Sequence, residues 1–103
     1  MTAQGSAVTR FRRAVERKSL LNAELAAREM GHLDLEDALS LVLLYASEDD
    51  PRFDRAATRW IARFCVEGKP SLSELQAAVC ALALLRRGGG EAAARLIHAL
   101  ARN

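Results

Sequence analysis

From Ala38 to Ala46 the chain reads ALSLVLLYA, in which Ser40 is the one conventionally polar residue. The run is far shorter than the roughly 18 apolar residues a membrane span needs, and its leucines and alanines favour a helix. A helix that is apolar nearly all round has to be buried from several sides. The chain has 103 residues, the size of one domain, which buries roughly 60–70% of its unfolded surface. Its other segments therefore have to supply that cover. AAVCALALL at 77–85 makes the same demand. Covering both runs in so small a chain is hard, so partial exposure and pairing with a second copy are expected.

The rest of the sequence is punctuated as helices. MTAQGS at 1–6 has no periodicity and is expected to be a disordered leader, with 7–103 forming one helical domain. A first helix covers about 7–18, with Val8, Phe11, Ala14 and Val15 on one face and Arg10, Arg13 and Arg17 on the other. RKS breaks the chain before LLNAELAAREM, and Gly31 stops that second helix. Asp34, with Asp37 three residues on, resembles a capping box that opens a third helix. Asp50 and Pro51 read as an N-cap followed by proline at the first position of a fourth helix, which runs to about 67 and ends at Gly68 and Pro70. Ser71 or Ser73 caps a fifth, and GGG at 88–90 separates it from a sixth.

These helices come in pairs that resemble one another. AATRWIARF at 56–64 aligns with AAARLIHAL at 92–100, and Leu35, Asp37 and Val42 fall over Leu72, Glu74 and Val79. Shifts of 36 and 37 residues suit helical-hairpin arrays of the HEAT or tetratricopeptide (TPR) type. The expected fold is all-α, with about six helices as three antiparallel hairpins. Either a HEAT/TPR-like stack or a compact helical bundle satisfies the pattern.

Charge narrows the function classes. The net charge of +2 is too small to imply a nucleic-acid or membrane-surface protein by itself, but it hides an acidic centre. Residues 1–23 carry a net +4, residues 24–50 a net −7 and residues 51–103 a net +5. Cys65 and Cys80 belong to no metal-binding pattern and lie in apolar helical stretches, so both are expected in the core. His32 and His98 fit no metal-ligand spacing. RRGGGEAA at 86–93 lacks the lysine of a phosphate-binding loop and the strand before it. The acidic residues sit mostly at helix ends, where capping explains them. An enzyme, a cofactor, a metal and a small-molecule substrate are therefore not expected, and a reduced cytoplasmic setting is the default.

The candidate site is a stripe of arginines. Arg52, Arg55, Arg59 and Arg63 fall within an arc of roughly 80° on the fourth helix, and Phe53, Ala57, Trp60, Ile61 and Phe64 centre about 135° away. The stripe is either a solvated face paired with the acidic centre or a ridge that binds anions. Four phosphate contacts would give a salt slope near −3.6, a loss of about 150-fold in affinity between roughly 50 and 200 mM salt. Arg10, Arg13 and Arg17 form a second basic face. Trp60 reads as a core anchor, and Tyr45 with the run at 38–46 reads as core or as an exposed partner patch.

LDLEDALSL at 33–41 and AATRW at 56–60, within the stretch from Phe11 to Phe64, resemble a recurrent kind of short, alanine-rich, all-helical protein from actinobacteria. The resemblance implies a bacterial, cytosolic helical domain and brings no activity or site residues with it. The expected function is a non-enzymatic protein-interaction or adaptor module that binds another protein or a second copy of itself. The alternative is a nucleic-acid-associated protein that uses the arginine faces without reading sequence.

Overall fold

The computed structural model describes residues 6–86 and 90–102, and side chains outside 90–93. All regular structure among these residues is helical. The elements are α1 (Ala7–Glu16), α2 (Leu20–Met30), α3 (Leu35–Ser47), α4 (Phe53–Arg63) with a π-helical turn continuing it (Phe64–Gly68), α5 (Leu72–Arg86) and α6 (Gly90–Arg102). Apart from Ser6, the expected leader lies outside the described residues, as do residues 88–89 of the glycine break. Ser6 belongs to the fold: its hydroxyl accepts the Thr9 N–H at 3.2 Å and caps α1.

Local chemistry accounts for the helix ends. RKS separates two helices because Lys18 is left-handed, with φ 58°. That conformation lets Ser19 N–H reach the Ala14 carbonyl (2.9 Å) and Lys18 N–H the Val15 carbonyl (3.0 Å), a Schellman closure. Asp49, with φ 51°, closes α3 in the same way. Gly31 ends α2 with φ 78°, as the sequence predicts. Gly68 is required for a different reason: a Cβ there would come within 2.8 Å of the Phe64 ring. Ser71 and Glu74 form a reciprocal capping box, with backbone-to-side-chain bonds of 2.8 and 3.1 Å.

Two boundaries differ from expectation. The Asp50 carboxylate accepts the Arg52 N–H at 2.8 Å, so Pro51 and Arg52 form a turn and α4 begins at Phe53. At α3, Asp34 does cap, accepting the Asp37 N–H at 2.7 Å. The Asp37 carboxylate does not return the bond; it turns to the Arg12 guanidinium, at 3.2 and 3.4 Å.

Helix α3 stands between two cores. Leu39 and Val42 face Phe53, Trp60 and Phe64 of α4 and its π turn, Ala78 and Leu82 of α5, and Ile97 of α6. Leu44 faces Phe11 and Ala14 of α1 and Ala23 and Ala26 of α2. The pairs α1/α2, α3/α4 and α5/α6 pack together, and α3 also meets α1, α2, α5 and α6. Arg10 at the start of α1 meets Glu29 near the end of α2, and Trp60 near the end of α4 meets Leu35 at the start of α3. Both pairs are therefore antiparallel. The Trp60 indole N–H donates to the Leu35 carbonyl at 2.8 Å, and its ring stacks on Phe64 with centroids 5.0 Å apart.

The two apolar runs meet different fates. Every residue from Ala38 to Ala46 is buried or half-buried, which leaves no exposed patch on that run. Of 77–85, only Ala78, Ala81 and Leu82 are buried. Cys65 and Cys80 are both exposed, contrary to the core placement expected for them. Cys80 lies about 160° around α5 from Leu82, and Cys65 about 100° around from Phe64. A uniformly apolar neighbourhood in the sequence does not show which side of a helix is covered.

Truncating a central side chain and an exposed one should therefore differ sharply. Leu39→Ala is expected to cost about 2–5 kcal/mol and Leu72→Ala less than about 0.5 kcal/mol, both measured by urea unfolding.

Candidate functional site

The arginine stripe divides into structural ends and a free middle. Arg52 is tied down from three directions. Its guanidinium grips both oxygens of Asp50 at 3.0 Å, donates to Glu24 of α2 at 2.7 Å, and lies over the Tyr45 ring, 4.9 Å from its centroid. The Arg52 side-chain bond holds the Asp50 carboxyl below its ordinary range. Tyr45 donates its hydroxyl to the same Glu24 at 2.7 Å. Burial, and then that bond to a carboxylate, push the Tyr45 phenol up to about 12. At the other end, Arg63 donates to the Leu33 carbonyl at 2.9 Å and to Glu67 at 2.7 and 3.1 Å. Arg63 in turn lowers the Glu67 carboxyl below its ordinary range.

Between these ends, Arg55 and Arg59 are exposed and form no ion pair or hydrogen bond with any described residue. The second basic face divides in the same manner. Arg10 makes a bidentate pair with Glu29, at 2.6 and 2.8 Å, and its neighbour Arg12 takes Asp37. Arg13 and Arg17 remain exposed. The fold does not fuse the two faces. Helix α2 bonds to both, through Glu29 to α1 and Glu24 to the turn before α4, and so sits between them.

Sequence reading undervalued a different surface. Helix α5 presents large apolar side chains to solvent: Leu72 is 83% exposed, Val79 46% and Leu84 54%. Between α4 and α5 runs a groove of about 490 Å³, floored by Phe53, Ala57 and Leu82 and banked by Thr58 and Ile61 on one side and Val79 and Ala83 on the other. Arg86 reaches Asp54 at 3.3 Å and closes one end. The usable signal was the even apolarity of 77–85, since a short chain can fully cover only one such helix.

A second groove, of about 500 Å³, runs between α1, α3 and α6, where Val15, Leu44 and His98 line it and Lys18 marks one end. Burial lowers the His98 pKa below its ordinary value. Among the described residues no three His, Cys, Asp or Glu side chains gather as metal ligands, and no helix is long and apolar enough to cross a membrane. No protein-family profile, curated protein or solved structure matches this chain.

The division of the stripe can be tested by heating. Arg52→Ala should lower the melting temperature by a few degrees, and an Arg55→Ala/Arg59→Ala double variant should leave it unchanged. Tyr45 adds an alkaline signature. Its pKa is raised in the fold, so its contribution is full below the unfolded value near 10.0 and is lost as pH rises through about 12. Tyr45→Phe should remove that part of the decline when melting is followed between about pH 9 and 12.

Proposed function

We propose that this chain is a non-enzymatic protein-interaction module whose working surface is the face formed by α4 and α5. The observation that carries the reading is that Leu72 and Val79, about 20° apart around α5, are left in water on a helix whose other side is well packed, with Val79 lining the α4/α5 groove. Scattered exposed leucines are ordinary, but exposed apolar side chains beside a groove with an apolar floor are the usual mark of a surface that another protein covers. The resemblance to short helical actinobacterial proteins supports a bacterial, cytosolic setting. A partner protein and a second copy of the chain are the two candidate occupants.

Nucleic-acid binding is the second reading, favoured by the unpaired state of Arg55 and Arg59. With Arg52 and Arg63 engaged inside the molecule, two phosphate contacts replace four. The expected salt slope falls to about −1.8, a loss of roughly 12-fold in affinity between about 50 and 200 mM salt. That is a weak grip for a site with no aromatic stacking platform beside it.

Affinity capture of the tagged protein from a native bacterial extract separates the readings. It is run with and without nuclease, and with Val79→Asp and Arg55→Glu/Arg59→Glu variants. One stoichiometric protein that survives nuclease and is lost with Val79→Asp is the expected result. Captured material that vanishes with nuclease and with charge reversal would replace the proposal with the nucleic-acid reading. Capture unmoved by Val79→Asp would remove α5 as the working surface.

A further inference from the structure

We infer that the occupant of the α4/α5 face is an amphipathic helix of another protein, apolar along one ridge and acidic along the flank that meets Arg55 and Arg59. The inference rests on the interaction-module reading and deepens it.

The shape comes from two facing banks. On α5 the residues Leu72, Gln76, Val79 and Ala83 follow intervals of four, three and four, the spacing that keeps side chains on one side of a helix. On α4 and its π turn, Asp54, Thr58, Ile61 and Cys65 repeat the same intervals. Helices α4 and α5 run antiparallel, since Asp54 at the start of one meets Arg86 at the end of the other. Two such ridges with an apolar floor form a seat for a third helix, whose own ridge lies between them. The Asp54–Arg86 pair marks where the apolar seat stops.

The charge of the occupant follows from which groups on this face are already engaged. Asp54 is held by Arg86, Glu67 by Arg63, and Glu74 by the capping box with Ser71. Every acidic side chain between Phe53 and Arg86 thus has a partner. Arg55 and Arg59 do not, and they lie roughly 60° and 100° beyond Thr58 on the rim away from α5. The uncompensated charge beside the groove is positive, and its complement is a row of Asp or Glu.

A second copy of the chain fits less well. Two identical faces brought together each carry the same cationic rim, which makes an isologous pairing repulsive at its edges. A heterologous pairing needs an exposed apolar ridge with free acids beside it, and α2, which exposes Leu21 and Leu25, carries Arg28 on the next turn of that side. A phosphate backbone would use the arginines and leave the apolar groove unfilled.

The test is display selection of random peptides of about 16 residues, long enough for roughly four helical turns, on the full chain with Val79→Asp as the counter-selecting variant. The best peptide is then titrated by fluorescence anisotropy against wild type, Val79→Asp and Arg55→Glu/Arg59→Glu, alongside a version with its acids changed to lysine. Val79 and both arginines are exposed, and circular dichroism verifies that the variants fold.

The expected result is an enriched helical pattern of apolar residues at intervals of three and four with acids on one flank. Charge reversal should cost roughly tenfold in affinity for the acidic peptide and restore binding to its lysine version. Enriched peptides without acids, affinity unmoved by Arg55→Glu/Arg59→Glu, binding that survives Val79→Asp, or no enrichment at all would overturn the inference. A concentration-dependent dimer abolished by Val79→Asp would assign the face to a second copy and also overturn it. If extract capture still depends on Val79 while the peptides fail, the module reading stands and the acidic helix alone is wrong. If neither responds to Val79→Asp, both fall.

Discussion

The burial of α3 from two sides is the constraint on which the rest of the molecule depends. Its side chains point alternately into two cores: Leu39 and Val42 toward α4, α5 and α6, and Leu44 toward α1 and α2. Each such side chain contributes about 1.5–3 kcal/mol when fully buried, and no single neighbouring helix could cover them all. Trp60 then sets the position of α4 through a directional contact, because its indole N–H has to find an acceptor when the ring is buried and finds it in the Leu35 carbonyl. Phe64 completes that contact by stacking on the same ring.

Electrostatics stitches what burial assembles. The acidic centre of the sequence and its basic flanks meet in space: Glu29 takes Arg10, Asp37 takes Arg12, Glu24 and Asp50 take Arg52, and Glu36 approaches Arg102 at 3.9 Å. Most of these pairs link one helix to another. Exposed pairs contribute little individually, about 0–1 kcal/mol each, but they favour one arrangement of helices over alternatives with like charges opposed. Arg55 and Arg59 are among the side chains left over, with no ion-pair partner among the described residues.

Helices α3 and α5 show why similar segments acquire different roles. A shift of 37 residues superimposes Val42 on Val79, yet Val42 is buried and Val79 is 46% exposed. The difference lies in the surroundings: α3 has helices on both sides, whereas the outer side of α5 faces solvent. The same contrast holds between Trp60, which is buried, and its counterpart Leu96, which is exposed. Similar local sequence gives similar helices, and the place of each helix in the packing gives it a different surface.

The helices themselves were largely legible in the sequence. Apolar spacing places them within the range of ordinary boundary error, and the stops at Gly31 and Gly68, the caps at Asp34 and Ser71, and the interior places of Phe11, Leu39 and Trp60 all follow from local chemistry. The three left-handed closures at Lys18, Asp49 and Lys69 were less legible, because none of these residues is the glycine that marks such a turn. What the sequence determined by itself is therefore the set of elements and the need for one helix to be buried all round, since both depend on neighbours a few residues away. What only the tertiary structure decided is which arginines are free, which of the two apolar helices keeps an open side, and that Cys65 and Cys80 face solvent. Those outcomes depend on partners such as Glu24 for Arg52 and Leu33 for Arg63, which lie about thirty residues away along the chain and come within reach only when the helices pack.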